Sequence, residues 1–461
     1  MNCRYPDDGV DAAHRNAHGG NPVRRIRLFD RGASVRIAML SVHSSPLARL
    51  GGKEAGGMNV YVRELARELG SRGVPVDIFT RSQDRRAPTV EPLACGVRVI
   101  NLHTGPAAPY AKDWVLTYLP EFVNRVRCFA DGEDLAYDLI HSHYWLSGEA
   151  ALRLRRSWGV PVMHMFHTLG AMKNSIARSK EETETGQRIA IERRLMQEVD
   201  AVVAATTLDR AQMVWNYEAD AERIRVVPCG VDLRRFQPKD RAAARARLGL
   251  SVDEELLLCV GRMEPLKGMD ALIRALALLA DTEPAQRRRR RVLLIGGDDE
   301  SRPGDWNSEQ RRLDALRRAL GVADRVSFLG ARPQEQLADY FAAANVVAVP
   351  SHYESFGMAA LEALACGAAV VAANVGGLAL TIEDGRSGLL FPADDHVALA
   401  DQIRRILGDP AYARALEAGA RRRASEYGWP SVAKRVITIY DELVLAGAAA
   451  RAARRPLSQV S

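Results

Sequence analysis

The sequence predicts an α/β protein of two Rossmann-like, doubly wound domains that face each other across a central cleft. The chain has 461 residues, too many for a single ordinary core and suited to two domains of about 200 residues each. Short apolar runs alternate with amphipathic stretches, which is typical of a parallel sheet covered on both faces. This alternation occurs twice, and residues 228–233 separate the two series with proline and glycine.

Eleven apolar runs are predicted as strands. Those of the first series lie at residues 35–40, 76–79, 139–141, 160–163, 201–204 and 224–227. Those of the second series lie at residues 256–260, 292–295, 326–329, 346–349 and 369–372. Doubly wound sheets bind ligands at the carboxyl ends of their strands, so we expect the site between the two domains.

These features divide the chain into five segments. They are a flexible amino-terminal tail (1–34), a first Rossmann-like domain (35–230), a second Rossmann-like domain (231–430), a helix that returns to the first domain (431–447) and a basic tail (448–461).

The composition indicates a globular protein with a substantial core. Hydrophobic residues make up 47% of the chain and charged residues 26%, a balance unlike that of disordered, fibrous or membrane proteins. No stretch approaches the roughly 18 apolar residues of a membrane span, and residues 1–34 lack the apolar segment of a signal peptide. The six cysteines lie far apart without zinc-site spacing. We therefore expect reduced thiols and a cytoplasmic protein.

The formal net charge of +7 favours anionic partners in general. Sugar nucleotides, phosphorylated small molecules, nucleic acid and anionic lipid all meet this requirement, so charge alone does not choose among them. A run of five arginines, residues 287–291, lacks the interleaved aromatic side chains of a nucleic-acid surface. We expect a solvated helix end there and no nucleic-acid partner.

Gly56 and Gly57 follow the first strand and open a helix predicted over residues 60–69. Backbone N–H groups at such a helix start can approach an anion, and the helix dipole favours negative charge there. A diphosphate fits this position, but a tight strand-to-helix turn explains the two glycines equally well. The sequence lacks G-x-G-x-x-G, which weighs against a nicotinamide cofactor.

Two cations, Arg262 and Lys267, lie five residues apart on the loop after the first strand of the second series. Both can reach one diphosphate and stabilise its charge as it leaves. Although surface cations are common in this chain, the position at a strand end between Gly261 and Gly268 favours a functional interpretation.

Two carboxylates, Glu354 and Glu362, lie eight residues apart. If Ser355 caps a helix, that spacing is about two turns, and both carboxylates can face one cleft and bind sugar hydroxyls. Spacing alone fits two solvated glutamates beside a core helix better.

Polar side chains also follow two strands of the first series. His141, His143 and Tyr144 follow one strand, and His167 and Thr168 follow the next. They indicate a polar pocket, although each residue alone is more often structural. Neither H-E-x-x-H nor G-x-S-x-G occurs, so hydrolase chemistry has no support.

Together these motifs resemble those of the retaining family 4 glycosyltransferases, which have the GT-B fold. The shared elements are Gly56-Gly57-Met58-Asn59, Gly261-Arg262 with Lys267-Gly268, and the E-x7-E element from Glu354 to Glu362. The resemblance spans roughly residues 36–447. It implies a UDP-sugar donor, with the first domain holding the acceptor and the second domain the nucleotide sugar.

Within this family, residues 41–46 and 141–148 are most similar to enzymes of mycothiol biosynthesis that use UDP-N-acetylglucosamine and inositol 3-phosphate. Sucrose-phosphate synthases share much of the same pattern. The resemblance thus implies a small phosphorylated acceptor, with inositol 3-phosphate favoured and sucrose-phosphate synthase-like transfer as the alternative.

The resemblance also implies roles for individual residues. The implied donor-binding residues are Gly57, Arg262, Lys267, Arg332, Glu354 and Glu362. The implied acceptor-binding residues are His43, Asn59, Lys112, Tyr144, Thr168 and Arg188, of which the last four hold the acceptor phosphate. The implied catalytic residues are His167, near the anomeric carbon, with Arg262, Lys267 and Glu354.

The sequence departs from the family pattern at Glu54, at Ala368 and, slightly, in residues 166–170. The family's Asp-Ala-Gly-Gly has glutamate first here, at Glu54. Where the inositol phosphate enzymes have a threonine linked to bound magnesium, this chain has Ala368. We therefore expect no metal site and no cofactor required for catalysis; Mg²⁺ stays open but has no support at Ala368.

Two other functions remain open at this level. A glycosyltransferase that acts on a lipid acceptor would also suit the basic charge and would involve peripheral membrane contact. A nucleotide-sugar-binding protein without transfer activity is less favoured, because Arg262, Lys267 and Glu354 are all present. The sequence leaves a homodimer open.

Overall fold

The computed structural model describes residues 35–48, 56–106, 112–177, 180–283, 285, 289–297 and 306–454. The expected amino-terminal tail, Glu54, Arg287, Arg288 and residues 455–461 lie outside the described residues. The side chain of Lys112 lies outside them too.

The first domain contains an eight-stranded sheet in the order β3-β4-β2-β1-β5-β6-β7-β8. Its strands are β1 Ile37–Leu40, β2 Val76–Ser82, β3 Val90–Ala94, β4 Val97–His103, β5 Leu139–His143, β6 Val162–Met165, β7 Ala201–Ala204 and β8 Ile224–Val226. All neighbouring strands are parallel except β3 and β4, which form an antiparallel pair at one edge. The helices are α1 Gly57–Ser71, α2 Lys112–Thr117, α3 Leu119–Gly132, α4 Trp145–Trp158, α5 Gly170–Ile176, α6 Gly186–Glu198 and α7 Thr207–Tyr217.

The second domain contains a six-stranded, fully parallel sheet in the order β11-β10-β9-β12-β13-β14. Its strands are β9 Glu255–Val260, β10 Arg290–Ile295, β11 Val326–Phe328, β12 Val346–Val349, β13 Val370–Ala373 and β14 Leu389–Phe391. The helices are α8 Arg241–Leu248, α9 Met269–Thr282, α10 Ser308–Ala319, α11 Gln334–Ala343, α12 Met358–Ala365, α13 Leu378–Thr381, α14 His396–Gly408, α15 Pro410–Ser425 and α16 Trp429–Arg454.

The predicted fold class is confirmed, and the local differences have physical reasons. Three strands were not predicted, namely β3, β4 and β14. β3 is a partly exposed edge strand that contains Pro92. Proline has no backbone N–H to donate to a neighbouring strand, so within a sheet it is found at edges such as this one. β14 has only three residues. The strand predicted at 160–163 begins at Val162 instead, because Pro161 cannot donate a hydrogen bond.

Strands β1, β7, β12 and β13 are buried along their whole length. Helices cover both faces of a doubly wound sheet, so these strands are continuous apolar runs rather than alternating ones. This explains why the sequence revealed them.

The described part of the arginine run, residues 289–291, is not the solvated helix end that the sequence suggested. Arg290 and Arg291 begin strand β10, and Arg290 is buried. Its guanidinium contacts Glu255 at 2.9 Å and Glu283 at 2.5 Å. Carboxylates on neighbouring elements allow this arginine to enter the sheet, because a buried charge requires a partner.

Helix α16 crosses back from the second domain to the first. The Trp429 ring packs edge-on against Tyr61 of α1, with ring centroids 5.4 Å apart. A Cβ atom on Gly230 would lie 2.5 Å from the Trp429 ring, so this position requires glycine. Farther along, the Tyr440 hydroxyl lies 2.7 Å from Nδ1 of His141 in β5. In the part of the chain that the structure describes, no helix has the length and apolar character needed to cross a membrane.

A polar contact near the cleft also joins the domains. The Ser355 hydroxyl of the second domain donates a hydrogen bond of 3.1 Å to Oδ2 of Asp209 in α7. Asp209 is buried, and this desolvation raises the pKa of its carboxyl group to about 7, although bonds from Ser355 and Thr206 partly oppose the shift.

The raised pKa of Asp209 predicts how one substitution changes stability with pH. A carboxyl group with a higher pKa in the folded state loses stability as pH rises from about 4 to about 7. Asp209→Asn removes this loss and keeps an oxygen that accepts from Ser355. We therefore expect the variant to gain free energy of unfolding relative to wild type over this range, with a limiting slope of about 1.4 kcal/mol per pH unit.

Urea unfolding at a series of pH values measures the difference between the two proteins. Subtracting the free energy of unfolding of wild type from that of the variant at each pH cancels the contributions of all other titrating groups. Asp281→Asn, at an exposed aspartate on α9, is the matched control and should leave the pH dependence unchanged. Parallel curves for wild type and Asp209→Asn would contradict the prediction.

Candidate active site

The two domains enclose a cleft with a cavity volume of about 330 Å³. The carboxyl ends of strands from both sheets meet there, as expected for doubly wound domains. All predicted site residues line this cleft except Lys112, whose side chain is not described. The sequence-predicted residues on the cleft wall are His43, Gly57, Asn59, Tyr144, His167, Thr168, Arg188, Arg262, Lys267, Arg332, Glu354 and Glu362.

The amino terminus of α1 opens into the cleft at Gly57, three residues earlier than the sequence suggested. A Cβ atom on Gly57 would lie 3.2 Å from Sδ of Met358 at the start of α12. The glycine therefore lets the two domains approach closely. The free N–H groups at this helix end suit an anion.

Asn59 links Gly56, just before α1, to Ser44 and Ser45, which follow β1. Its Oδ1 accepts from the Gly56 N–H at 2.9 Å, and its Nδ2 donates to Ser44 at 2.6 Å and to the Ser45 carbonyl at 2.7 Å. The side chain is buried and uses its hydrogen bonds within the protein. The structure thus gives Asn59 a structural function at the cleft wall beside its predicted contact with the acceptor.

The loop after β9 presents the two predicted cations. Lys267 Nζ lies 2.5 Å from Glu354 Oε2, and Arg262 Nη1 lies 2.8 Å from Glu264 Oε1. Gly268 has a φ of +59°, and a Cβ atom there would lie 2.1 Å from the Pro350 carbonyl oxygen. This glycine allows the loop to pack against the segment that carries Glu354.

The two carboxylates are arranged differently from the predicted helix face. Ser355 does not cap a helix, because α12 begins at Met358 after Gly357, whose φ is +92°. Glu354 therefore lies in the preceding loop and only Glu362 lies on the helix. Both still line the cleft.

Glu362 is buried, with 7% of its surface exposed. Burial raises the pKa of its carboxyl group to about 7, and a hydrogen bond from Gln334 partly offsets this. Gln334 Nε2 donates to Glu362 Oε1 at 2.8 Å. No sequence motif had pointed to Gln334.

Arg188 forms the centre of a polar cluster on the first domain. Its guanidinium donates to Glu192 at 2.7 Å, to the Tyr144 hydroxyl at 3.1 Å and to the Thr168 hydroxyl at 3.1 Å. Glu184 lies 2.8 Å from its Nη1. Only 1% of Arg188 is exposed. Its partners Tyr144 and Thr168 also line the cleft, so the charge of Arg188 lies directly behind their hydroxyl groups.

Lys173 is a cleft residue that the sequence reasoning missed. It lies on α5, lines the same wall as Thr168 and forms an ion pair with Glu184. Lys173 and Arg188 therefore share one carboxylate. The available signal was its position on the helix that follows β6, but a single lysine there is a weak signal.

His167 projects from the end of β6 with a φ of +62°. Such a backbone conformation is rare for a residue with a side chain and is concentrated at functional sites. Its Nε2 lies 3.0 Å from Nδ1 of His143. Desolvation lowers the pKa of His167 to about 3, so the imidazole is neutral at physiological pH.

The other histidines belong to a buried cluster behind His167. His141 and His143 lie with ring centroids 4.2 Å apart, and the Ser142 hydroxyl contacts Nδ1 of His164 at 2.8 Å. Burial lowers the pKa of all three histidines. The cluster supports the cleft wall, whereas His43 lines the cleft itself against Tyr144, with ring centroids 4.3 Å apart.

No metal-binding group was found in the described part of the chain. Within these residues, no three histidine, cysteine, aspartate or glutamate side chains converge as a metal site requires. Ala368 is buried and has no oxygen on its side chain.

Comparison with known proteins identifies the fold and the family. The family model described as "Glycosyltransferase Family 4" matches residues 55–235, and the one described as "Glycosyl transferases group 1" matches residues 240–423. A D-inositol 3-phosphate glycosyltransferase of Acidothermus cellulolyticus is 43% identical over 408 residues, which cover 88% of this chain and 90% of the relative.

Solved structures agree with this assignment. Sucrose-phosphate synthase from Thermosynechococcus elongatus superimposes with a TM-score of 0.81 at 37% identity, covering 89% of this chain and 100% of that one. An Anabaena protein in complex with UDP and glucose shares the fold, with a TM-score of 0.69 at 20% identity over 89% of this chain and 100% of its own. The cleft, the two Rossmann-like domains and these relatives together show that the chain belongs to the family 4 glycosyltransferases of the GT-B fold.

Proposed function

We propose that this glycosyltransferase moves a sugar from a UDP-sugar to a small phosphorylated polyol or sugar, with retention of anomeric configuration. UDP-N-acetylglucosamine is the favoured donor and inositol 3-phosphate the favoured acceptor. One observation carries the proposal: a single cleft has Arg262, Lys267 and two carboxylates on one wall, and the Arg188 cluster on the other. The curated relative at 43% identity is named for inositol 3-phosphate.

The second domain supplies the groups that a nucleotide sugar requires. Arg262 and Lys267 are proposed to bind the diphosphate, opposite the α1 amino terminus at Gly57. Glu354 and Glu362 accept hydrogen bonds from the donor sugar and the ribose, respectively. Arg332 contributes its backbone near the uracil. The Anabaena neighbour with UDP and glucose supports this type of donor.

The first domain supplies the groups that a phosphorylated acceptor requires. The Tyr144 and Thr168 hydroxyls, Lys112 and the charge of Arg188 are proposed to hold the phosphate. Lys173 adds a cation beside them. Because Glu184 pairs with both Lys173 and Arg188, an acceptor phosphate competes with this carboxylate for the same two cations.

The proposed reaction occurs on one face of the sugar. The acceptor hydroxyl attacks from the side that the diphosphate leaves, and departing phosphate oxygens take its proton. Arg262, Lys267 and the start of α1 stabilise the charge on the leaving group. His167 lies against the sugar near its anomeric carbon, and because its imidazole is neutral it orients the sugar without adding positive charge there.

We propose that the enzyme works without a resident metal ion. At the position where the inositol phosphate enzymes have a magnesium-linked threonine, the methyl group of Ala368 cannot act as a ligand. Lys267 and Arg262 provide the positive charge that a divalent cation would otherwise supply to the diphosphate. Chelator treatment of the purified protein should leave its transfer rate unchanged.

A second candidate function differs only in the acceptor. The structural similarity to sucrose-phosphate synthase, with a TM-score of 0.81, favours fructose 6-phosphate as the alternative. UDP release from UDP-N-acetylglucosamine and from UDP-glucose, each with inositol 3-phosphate, fructose 6-phosphate or no acceptor, separates the candidates. Release that neither acceptor stimulates would contradict both and would direct the search to lipid acceptors, for which liposome flotation is the test.

Lys267→Ala is expected to lower kcat by at least about 100-fold, because a cation that stabilises a leaving diphosphate is worth several kcal/mol in the transition state. Stimulated UDP release measures this effect. Lys434→Ala, at an exposed lysine of α16, is the matched control and should retain the wild-type rate. Near-normal activity of Lys267→Ala would refute the proposed role.

Tyr144→Phe tests the acceptor pocket. It removes a hydroxyl that contacts Arg188, and we expect the KM for the phosphorylated acceptor to rise about tenfold with little change in the KM for the donor. Tyr340→Phe, on α11 away from the Arg188 cluster, serves as the control. A rise in the donor KM alone would place Tyr144 on the other substrate.

A further inference from the structure

Gln334 lies where three parts of the chain meet. It is the first residue of α11 and is 5% exposed. Its Oε1 accepts from Arg63 Nη2 at 2.5 Å and from Arg235 Nη1 at 2.9 Å. Arg63 belongs to α1 of the first domain, and Arg235 belongs to the segment between the two sheets. One amide group therefore contacts the first domain, the connecting segment and Glu362 of the second domain.

These contacts fix the orientation of the amide. A guanidinium group can only donate hydrogen bonds, and the NH₂ group of glutamine is also a donor. If the amide rotated by half a turn, its NH₂ would face two guanidinium groups and its oxygen would face the Glu362 carboxylate. Both contacts would be repulsive, so the two arginines hold the NH₂ group toward Glu362.

The fixed amide has a direct consequence for Glu362. Gln334 Nε2 binds Oε1 of the carboxylate, and Oε2 makes no hydrogen bond to any residue that the structure describes. This leaves Oε2 to accept from a ligand hydroxyl. Desolvation raises the pKa of the Glu362 carboxyl group, whereas this hydrogen bond and the positive charges of Arg235 and Arg63 lower it and favour the ionised carboxylate.

Arg63 is held in turn by its own helix. Its Nε donates to Glu64 Oε1 at 2.9 Å, and the same oxygen accepts from Arg67 at 3.2 Å. Arg235 Nη1 lies 3.6 Å from this oxygen as well. Helix α1 begins in the cleft at Gly57 and contacts the second domain through Arg63 and Gln334. Because Glu64 pairs with Arg63, the position of this arginine is fixed by its neighbours on the helix.

We propose that Gln334 is a positioning residue that holds Glu362 for the ribose of the donor, and that Arg63 makes this arrangement depend on contact between the two domains. The inference rests on the proposed function of Glu362 in donor binding. In physical terms, separation of the domains removes one of the two donors that orient the amide. Donor affinity and domain contact are therefore coupled through Gln334.

The test measures the Kd for UDP by titration calorimetry on the full chain, together with the KM of each substrate. Gln334→Met keeps the side-chain length but removes the amide, and we expect both the Kd for UDP and the donor KM to rise about tenfold. The acceptor KM should not change, which separates a positioning role from a general loss of structure. Gln336→Met, at an exposed glutamine on the same helix, should match wild type.

Arg63→Met is the second variant and leaves the second domain intact. It should also weaken UDP binding several-fold, although Arg63 lies in the other domain. The double variant Gln334→Met/Glu362→Gln should bind UDP no more weakly than Glu362→Gln alone, because Gln334 acts through Glu362.

The outcomes separate this inference from the proposed function. If Glu362→Gln weakens UDP binding while Gln334→Met stays within about twofold of wild type, the donor site stands and the inference fails. Fully multiplicative effects in the double variant would also overturn the inference, since Gln334 would then act independently. If Glu362→Gln leaves UDP binding unchanged, the proposed function of Glu362 fails and the inference falls with it.

Discussion

The return of α16 to the first domain is the constraint on which the cleft depends. Two doubly wound sheets joined by a single segment could adopt many relative positions, but α16 makes a second connection. Trp429 packs against Tyr61 near the start of this helix, and Tyr440 contacts His141 farther along. Because Tyr61 belongs to α1 and His141 to β5, the helix contacts the elements that lead into the cleft. The histidine cluster behind His167 is therefore supported from the second half of the chain.

The charges of the cleft are arranged in pairs. Lys267 pairs with Glu354, Arg262 pairs with Glu264, and Glu184 is shared by Lys173 and Arg188. A carboxylate beside each of these four cations limits repulsion among positive groups in a partly desolvated space. Phosphate groups bring the same type of charge and can take over these partners. The cleft is thus suited to the two proposed substrates, whose phosphates would replace internal carboxylates as partners of these cations.

Burial sets the protonation states around the proposed reaction centre. Desolvation keeps His167 neutral and raises the pKa values of Glu362 and Asp209 to about 7. Asp209 receives its hydrogen bond from Ser355, which follows Glu354 directly in the chain. The loop that carries Glu354 is therefore attached to the first domain, and the Gln334 contact attaches Glu362 in a similar way. Both carboxylates of the proposed donor site are thus linked to contacts that cross between the domains.

The sequence by itself determined the fold class, the repeated pattern of strands and the family, and the structure and the comparisons confirm these predictions. Buried parallel strands are continuous apolar runs, and glycines such as Gly57 and Gly268 mark places where the backbone must approach a neighbour closely; such signals are local. The edge strand β3, the buried position of Arg290 and the loop position of Glu354 were missed or wrong, because each depends on packing against distant residues. Only the tertiary structure revealed Gln334, Lys173 and Asp209, since their contacts join segments that are remote in sequence. A pKa shift or an oriented amide arises from what surrounds a side chain, and spacing along the chain does not encode those surroundings.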